Sequence, residues 1–225
     1  MKIGIICEGH SDRAVITNIL EGTIGFNSSD IIPLRPTDQL DETDKANLPS
    51  SYFSTWSLVK RECEDKQRIN DFLSIEGQEF IVIHIDTAES AEYQINKPLN
   101  SSLTYCKDLR KATIEKINEW LKETEPVNNF LYAVAIEEMD AWVLVIYENK
   151  NSSIRPNPKR RLEYILAKKN INTSPGYANY LILSKDFRKS KIISDAKLLS
   201  LNESLSDFCK EIRNKVLPFI ELHKH

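Results

Sequence analysis

The sequence lacks the features by which several large protein classes announce themselves. No apolar run approaches the roughly 20 residues needed to cross a bilayer, and this argues against a membrane-spanning helix. The first apolar stretch, Ile3–Cys7, is too short for a signal peptide and runs straight into Glu8. The four cysteines, Cys7, Cys63, Cys106 and Cys209, stand far apart with no CxxC pair. Neither a zinc site nor a disulfide framework is indicated, and the cytoplasm is the expected compartment. Glycine is scarce, at six residues, and Gly9 has no phosphate-cradling GxGxxG or GxxxxGK around it. No Ser–His–Asp or Cys–His arrangement can be argued from spacing. The absence of Asp-x-Asp-x-Thr argues against a phosphatase of receiver-like fold.

What is present is charge, unevenly placed. The net charge of −3 conceals 15 Lys/Arg against 26 Asp/Glu in residues 1–150, then 11 against 3 in residues 151–200. An acidic body beside a basic segment suits a protein that holds cations at one place and phosphates at another. Two solvated faces of opposite sign would give the same count.

Patterning predicts alternating strands and helices. Lys2–Cys7 reads as a buried strand, followed by a helix to about Leu20 that Ser11 or Asp12 can cap. Residues 22–57, broken by Pro33, Pro36 and Pro49, read as an irregular insertion. An amphipathic helix is predicted from Ser57 to Leu73. Glu79–Ile85 is the strongest strand and ends at Asp86. A helix over Leu103–Lys122 and a strand over Asn129–Ile136 follow, the strand ending at Glu137-Glu138, and Met139–Tyr147 reads as a buried helix. This order implies an α/β fold, a parallel sheet covered by helices. After residue 150 the chain predicts helices over Lys159–Lys169 and Leu198–Leu217, with a basic stretch between them. The division expected is a core over 1–150 and a basic, mainly helical region over 151–225.

Three apolar runs end in acids: Glu8, Asp86, and Glu137/Glu138 with Asp140 just beyond. In a parallel sheet these ends share one edge, where open α/β sheets bind ligands. Clustered carboxylates repel unless a cation lies among them, and oxygen donors suit Mg²⁺ or Mn²⁺ rather than zinc. Acids that merely cap strands at the surface are the competing reading. His10 reads as a solvated loop residue, His84 as a hydrogen-bonded core histidine and Trp142 as core.

The stretch Ile5-Ile6-Cys7-Glu8-Gly9-His10-Ser11-Asp12 resembles the first motif of toprim domains. Ile83-His84-Ile85-Asp86 resembles the strand ending in the toprim aspartate motif. Glu137-Glu138-Met139-Asp140-Ala141-Trp142 looks like the E-x-[ED]-A-W element of small stand-alone toprim proteins, some of them associated with bacterial defence and similar to OLD nucleases. The resemblance spans roughly residues 1–147 and implies a Rossmann-like core. It implies Glu8 as acid, base or metal ligand and Asp86 as the principal Mg²⁺ ligand, with Glu138 and Asp140 completing the site. One departure stands out. The family usually has Asp-x-Asp, and here the second position is Ala88, with Glu89 one residue on as a substitute ligand.

The basic segment supplies candidate phosphate contacts: Lys159, Arg160 and Arg161, then Lys185, Arg188 and Lys189. Asn157-Pro158-Lys159-Arg160 is similar to a basic stretch that follows the core in related toprim proteins. Tyr164, Tyr177, Tyr180 and Phe187 are interleaved as bases' stacking partners or as a small core. The expected function is a Mg²⁺-dependent nuclease acting on DNA or structured RNA such as tRNA, as an anti-phage effector. The alternative is an inactive toprim module binding nucleic acid or a partner ATPase. A homodimer is left open.

Overall fold

The computed structural model describes residues 1–36, 55–123 and 128–223. Four parallel strands form its sheet: β1 (Lys2–Ile6), β2 (Ile31–Arg35), β3 (Gln78–Asp86) and β4 (Phe130–Ala135), in the order β2-β1-β3-β4. Helices cover both faces, as in Rossmann-like α/β folds. Because both faces are buried, the strands read as continuous apolar runs and not as alternating ones.

β2 corrects the reading of 22–57 as wholly irregular. Pro33 disguises it, since proline cannot donate to a ladder; β2 tolerates Pro33 because it is an edge strand. The rest of that expected insertion, residues 37–54, lies outside the described residues.

Helix α1 (His10–Ile24) packs Ala14, Val15, Ile19 and Leu20 against Ile3, Ile5 and Val82 on one face of the sheet. The opposite face carries Ile6, Ile81, Ile83, Ile85 and Val134. It is covered by α2 (Thr55–Asp65), α3 (Gln67–Leu73) and α4 (Tyr105–Leu121). The single helix expected over Ser57–Leu73 is thus two, broken where Lys66 adopts φ 59°. The β1–β2 and β3–β4 crossovers run in opposite directions from the sheet centre. Right-handed connection then places α1 and α4 on opposite faces.

Beyond β4 the chain is helical: α5 (Asp140–Tyr147), α6 (Pro158–Lys168), α7 (Tyr177–Leu183), α8 (Ser190–Ile193), α9 (Ala196–Leu199) and α10 (Glu203–Leu222). The helix expected over Leu198–Leu217 is split between α9 and α10. Asn202 caps the second, its side chain accepting from the Leu205 N–H at 3.0 Å. Leu162, Leu166, Leu183, Phe187, Phe208 and Ile212 join the same core as Ile3, Ile5 and Val82. Each such side chain, fully buried, contributes about 1.5–3 kcal/mol. Trp142 is core as expected. It stacks on Phe208 at 5.5 Å and donates to Ser204 Oγ at 2.8 Å. All four cysteines are buried and free. Burial pushes Cys63, Cys106 and Cys209 up to about 12, and Cys7 also upward, so these thiols are inert at neutral pH.

Candidate metal centre

Strand order reverses between β1 and β3, and a crevice at the C-terminal edge is the general consequence. Glu8 follows β1 and Asp86 ends β3, one on each side of that reversal. The Asp86 backbone N–H donates to Glu8 Oε1 at 2.7 Å, which ties the two strand ends together.

Side chains two apart on a strand share a face. His84 and Asp86 therefore stand beside Val82 on the face that α1 covers. Their partners across the ladder in β4 are Ala133 and Ala135, whose small side chains leave room for them. The first turns of α1 bring Asp12 over the same spot. One ligand atom each from Asp12, His84 and Asp86 lie within 4.8 Å of one another, a group able to hold a metal ion. His84 Nε2 is 3.2 Å from Asp86 Oδ1. The contact is not aligned as a hydrogen bond: both ring nitrogens of His84 and Asp86 Oδ1 are buried without a hydrogen-bond partner. His84 is 0% exposed. An unsatisfied buried polar group costs about 1–3 kcal/mol, a cost that a bound ligand at this group would offset. His84 is a core histidine as expected, but it lacks the hydrogen bonds expected of it.

The electrostatics agree with this crowding. Desolvation, then repulsion by Asp86, Glu8 and Asp140, raises Asp12 to about 8, although His84 pulls the other way. Asp86 is held well above the usual carboxylate range by burial and by Glu8, Asp140 and Glu138, against a hydrogen bond from the Met139 backbone. Acids from three strand ends and α1 thus act on one another, as a cation-binding cluster requires.

The chain after β4 divides its acids between two tasks. Glu137, at φ 66°, turns its carboxylate away to accept from Tyr105 Oη at 3.1 Å and Lys97 Nζ at 2.7 Å. Its neighbour Glu138 accepts from the Lys159 backbone N–H, at the start of α6, at 3.3 Å. Asp140 opens α5 and is buried; Tyr180 Oη donates to its Oδ1 at 2.7 Å. Burial raises Asp140 despite that bond. Tyr180 therefore serves the site's frame. Tyr180 and Phe187 are buried core residues, whereas Tyr164 is exposed and Tyr177 lies under Arg13 at 4.4 Å.

Ala88 is exposed and its N–H donates to Glu137 O at 2.9 Å. Glu89 is exposed as well. Desolvation and the charges of Glu92, Glu8 and Glu138 raise it, which places it at the rim of the cluster.

The basic residues separate by position. Lys159 is exposed beside Glu138 and Asp140, and its charge acts on Asp140. Arg160 is exposed and lines a cleft of about 620 Å³ with Ile154, Arg155, Asn157, Arg161 and Tyr164. Arg161 is engaged bidentately by Glu148, at 2.9 and 2.5 Å. Arg188 pairs with Glu21 at 2.8 Å, about 14 Å along α1 from Asp12. Lys189 pairs with Asp186 at 2.6 Å, and Lys185 is exposed. The structure joins Lys159 to the acidic site and holds the Arg188 group along the side of α1.

Asp12 and His84 are the site residues that patterning missed as ligands. The signal was available in part: His84-x-Asp86 shares a strand face, and Asp12 lies four residues after Glu8, within the first turn of the helix that follows. No family model, no curated protein and no solved structure matches this chain.

Proposed function

We propose that the chain is a toprim-type, divalent-metal-dependent phosphodiesterase acting on nucleic acid in the cytoplasm. The observation that carries the reading is the grouping of Asp12 with Asp86 at the edge where strand order reverses, with Glu8 bonded to the Asp86 N–H. Asp86 with Asp12 would hold the ion, Mg²⁺ or Mn²⁺, and Glu138, Asp140 or Glu89 would complete its surroundings. When bound, such an ion lowers the pKa of water and offsets charge on a phosphoryl oxygen. Glu8, which accepts from the Asp86 N–H, would take or give the proton at its carboxylate. Lys159, whose charge acts on Asp140, and Arg160 in the neighbouring cleft would contact a phosphate backbone, and the cleft with Tyr164 could seat a base.

A second reading rests on Ala88. With no carboxylate there and Glu89 exposed, the module would bind nucleic acid or a partner ATPase without cleaving. In either case a role in anti-phage defence accords with the small toprim proteins that the motifs resemble.

The test is incubation of the purified chain with plasmid, single-stranded DNA and total tRNA in Mg²⁺, Mn²⁺ or EDTA, beside Glu8→Gln and Asp86→Asn. Metal-dependent cleavage lost in both variants supports the enzyme. Binding without cleavage, unchanged in the variants, overturns it in favour of the second reading.

A further inference from the structure

We propose that His84 is itself a metal donor, so that Asp12, His84 and Asp86 form a mixed nitrogen–oxygen site that prefers Mn²⁺ to Mg²⁺. This rests on the metal-dependent reading above but concerns the identity of the ion and not the reaction. Two observations carry it together. The three ligand atoms lie within 4.8 Å of one another, close enough to face a single ion. At the centre of the group, His84 is completely buried, and neither ring nitrogen nor Asp86 Oδ1 has a hydrogen-bond partner.

A purely structural histidine would have settled differently. Its neutral ring needs one acceptor and one donor, and its charged ring needs two acceptors. Neither set is present, although Asp86 Oδ1 stands only 3.2 Å from Nε2. An ion between Nε2 and the two carboxylates satisfies Nε2 and Asp86 Oδ1 at once and leaves only Nδ1 without a partner. It also relieves the repulsion that Asp12 and Asp86 experience from each other and from Glu8 and Asp140.

The donor set then bears against Mg²⁺. Mg²⁺ demands near-ideal octahedral oxygen donors and parts reluctantly with water, so a buried imidazole offers it little. First-row transition ions accept imidazole more readily than Mg²⁺ does, and Mn²⁺, which also suits carboxylates, is the member of that series nearest to Mg²⁺ in donor preference. Glu8 and Glu138 lie outside the group of three, and Ala88 contributes no oxygen donor.

The experiment uses the full chain and two readouts independent of activity. Titration calorimetry with Mn²⁺ and Mg²⁺ is expected to show one Mn²⁺ per chain, bound at least about tenfold more tightly than Mg²⁺. In His84→Gln that preference should fall about tenfold or more while Mg²⁺ affinity changes little. Pulsed electron paramagnetic resonance on the Mn²⁺-loaded wild-type chain is expected to show ¹⁴N modulation from a coordinated imidazole, which His84→Gln abolishes. Should His84→Gln not fold, His10→Gln decides the matter: it keeps the modulation if His84 is the donor and loses it if His10 is. Mn²⁺ bound without ¹⁴N modulation, equal affinities for the two ions, or no binding of either overturns the proposal. Nitrogen-coordinated Mn²⁺ with no cleavage of any nucleic acid leaves it standing and overturns the phosphodiesterase. Cleavage that needs Mg²⁺, with affinities indifferent to His84, does the reverse.

Discussion

The Asp86 backbone N–H donates to Glu8 Oε1 at 2.7 Å, across the point where strand order reverses. One carboxylate from the end of β1 thus fixes the end of β3, the strand that carries both His84 and Asp86. Glutamine at position 8 keeps an acceptor for this bond, whereas alanine leaves the Asp86 N–H without it. Glu8→Gln is expected to retain the wild-type melting temperature to within a few degrees. Glu8→Ala should lose about 1–2 kcal/mol. Both should lose metal-dependent cleavage by about 10²-fold or more. Urea unfolding read beside a cleavage assay checks the two effects separately.

Asp12 provides the pH dependence of the metal-free chain. Its folded pKa, about 8, exceeds its ordinary value of 3.8 because burial and neighbouring acids oppose ionisation. The folded state therefore holds more protons than the unfolded one between these values, and stability falls as pH rises through that window. Asp86 acts in the same direction. In EDTA the chain is expected to melt higher at pH 5 than at pH 8. Asp12→Asn should flatten the difference, and Mn²⁺ should raise the melting temperature most at pH 8. Thermal melts at several pH values measure this; a wild-type profile flat from pH 5 to 8 in EDTA would contradict it.

Glu148 behaves oppositely. The Arg161 hydrogen bonds, with help from Lys150 and Arg155, lower it to about 2 from an ordinary 4.5. Its contribution is present above the ordinary value and is lost as pH falls through about 2. Glu148→Gln is expected to cost about 1–3 kcal/mol at pH 7 and much less at the acid end of that range. Chemical denaturation at pH 7 and pH 3 reports the difference. The same variant also frees Arg155 and Arg161 in the cleft, so nucleic-acid binding should not weaken.

Gly22 marks where α1 meets the segment over Lys185–Arg188. A Cβ there would lie 1.8 Å from Phe187 O, which is backbone and cannot step aside. Gly22→Ala should destabilise the chain by about 2 kcal/mol or more despite alanine's better helix propensity. A melting curve is sufficient, and a stabilised variant would show that this packing is looser than described.

Strands β1, β3 and β4 and their terminal acids were legible because burial on both faces demands continuous apolar runs, and the following carboxylate marks where each run ends. The α/β alternation followed from the same signal, as did the core role of Trp142. Local pattern failed at β2, where edge position excuses Pro33, and at Lys66, where a left-handed residue divides a periodic stretch.

The sequence by itself determined which residue types were available: acids after strands, a basic segment after them, and an alanine at position 88. Only the tertiary structure decided their partners. Strand register set Ala133 and Ala135 beside His84 and Asp86, and the α1 crossover carried Asp12 over them. Glu137 was drawn to Lys97 while Glu138 met the start of α6. Arg161 and Arg188 were taken up by Glu148 and Glu21, leaving Lys159 at the site. A charge's role depends on what lies within a few ångströms of it, and those neighbours come from segments remote in the chain.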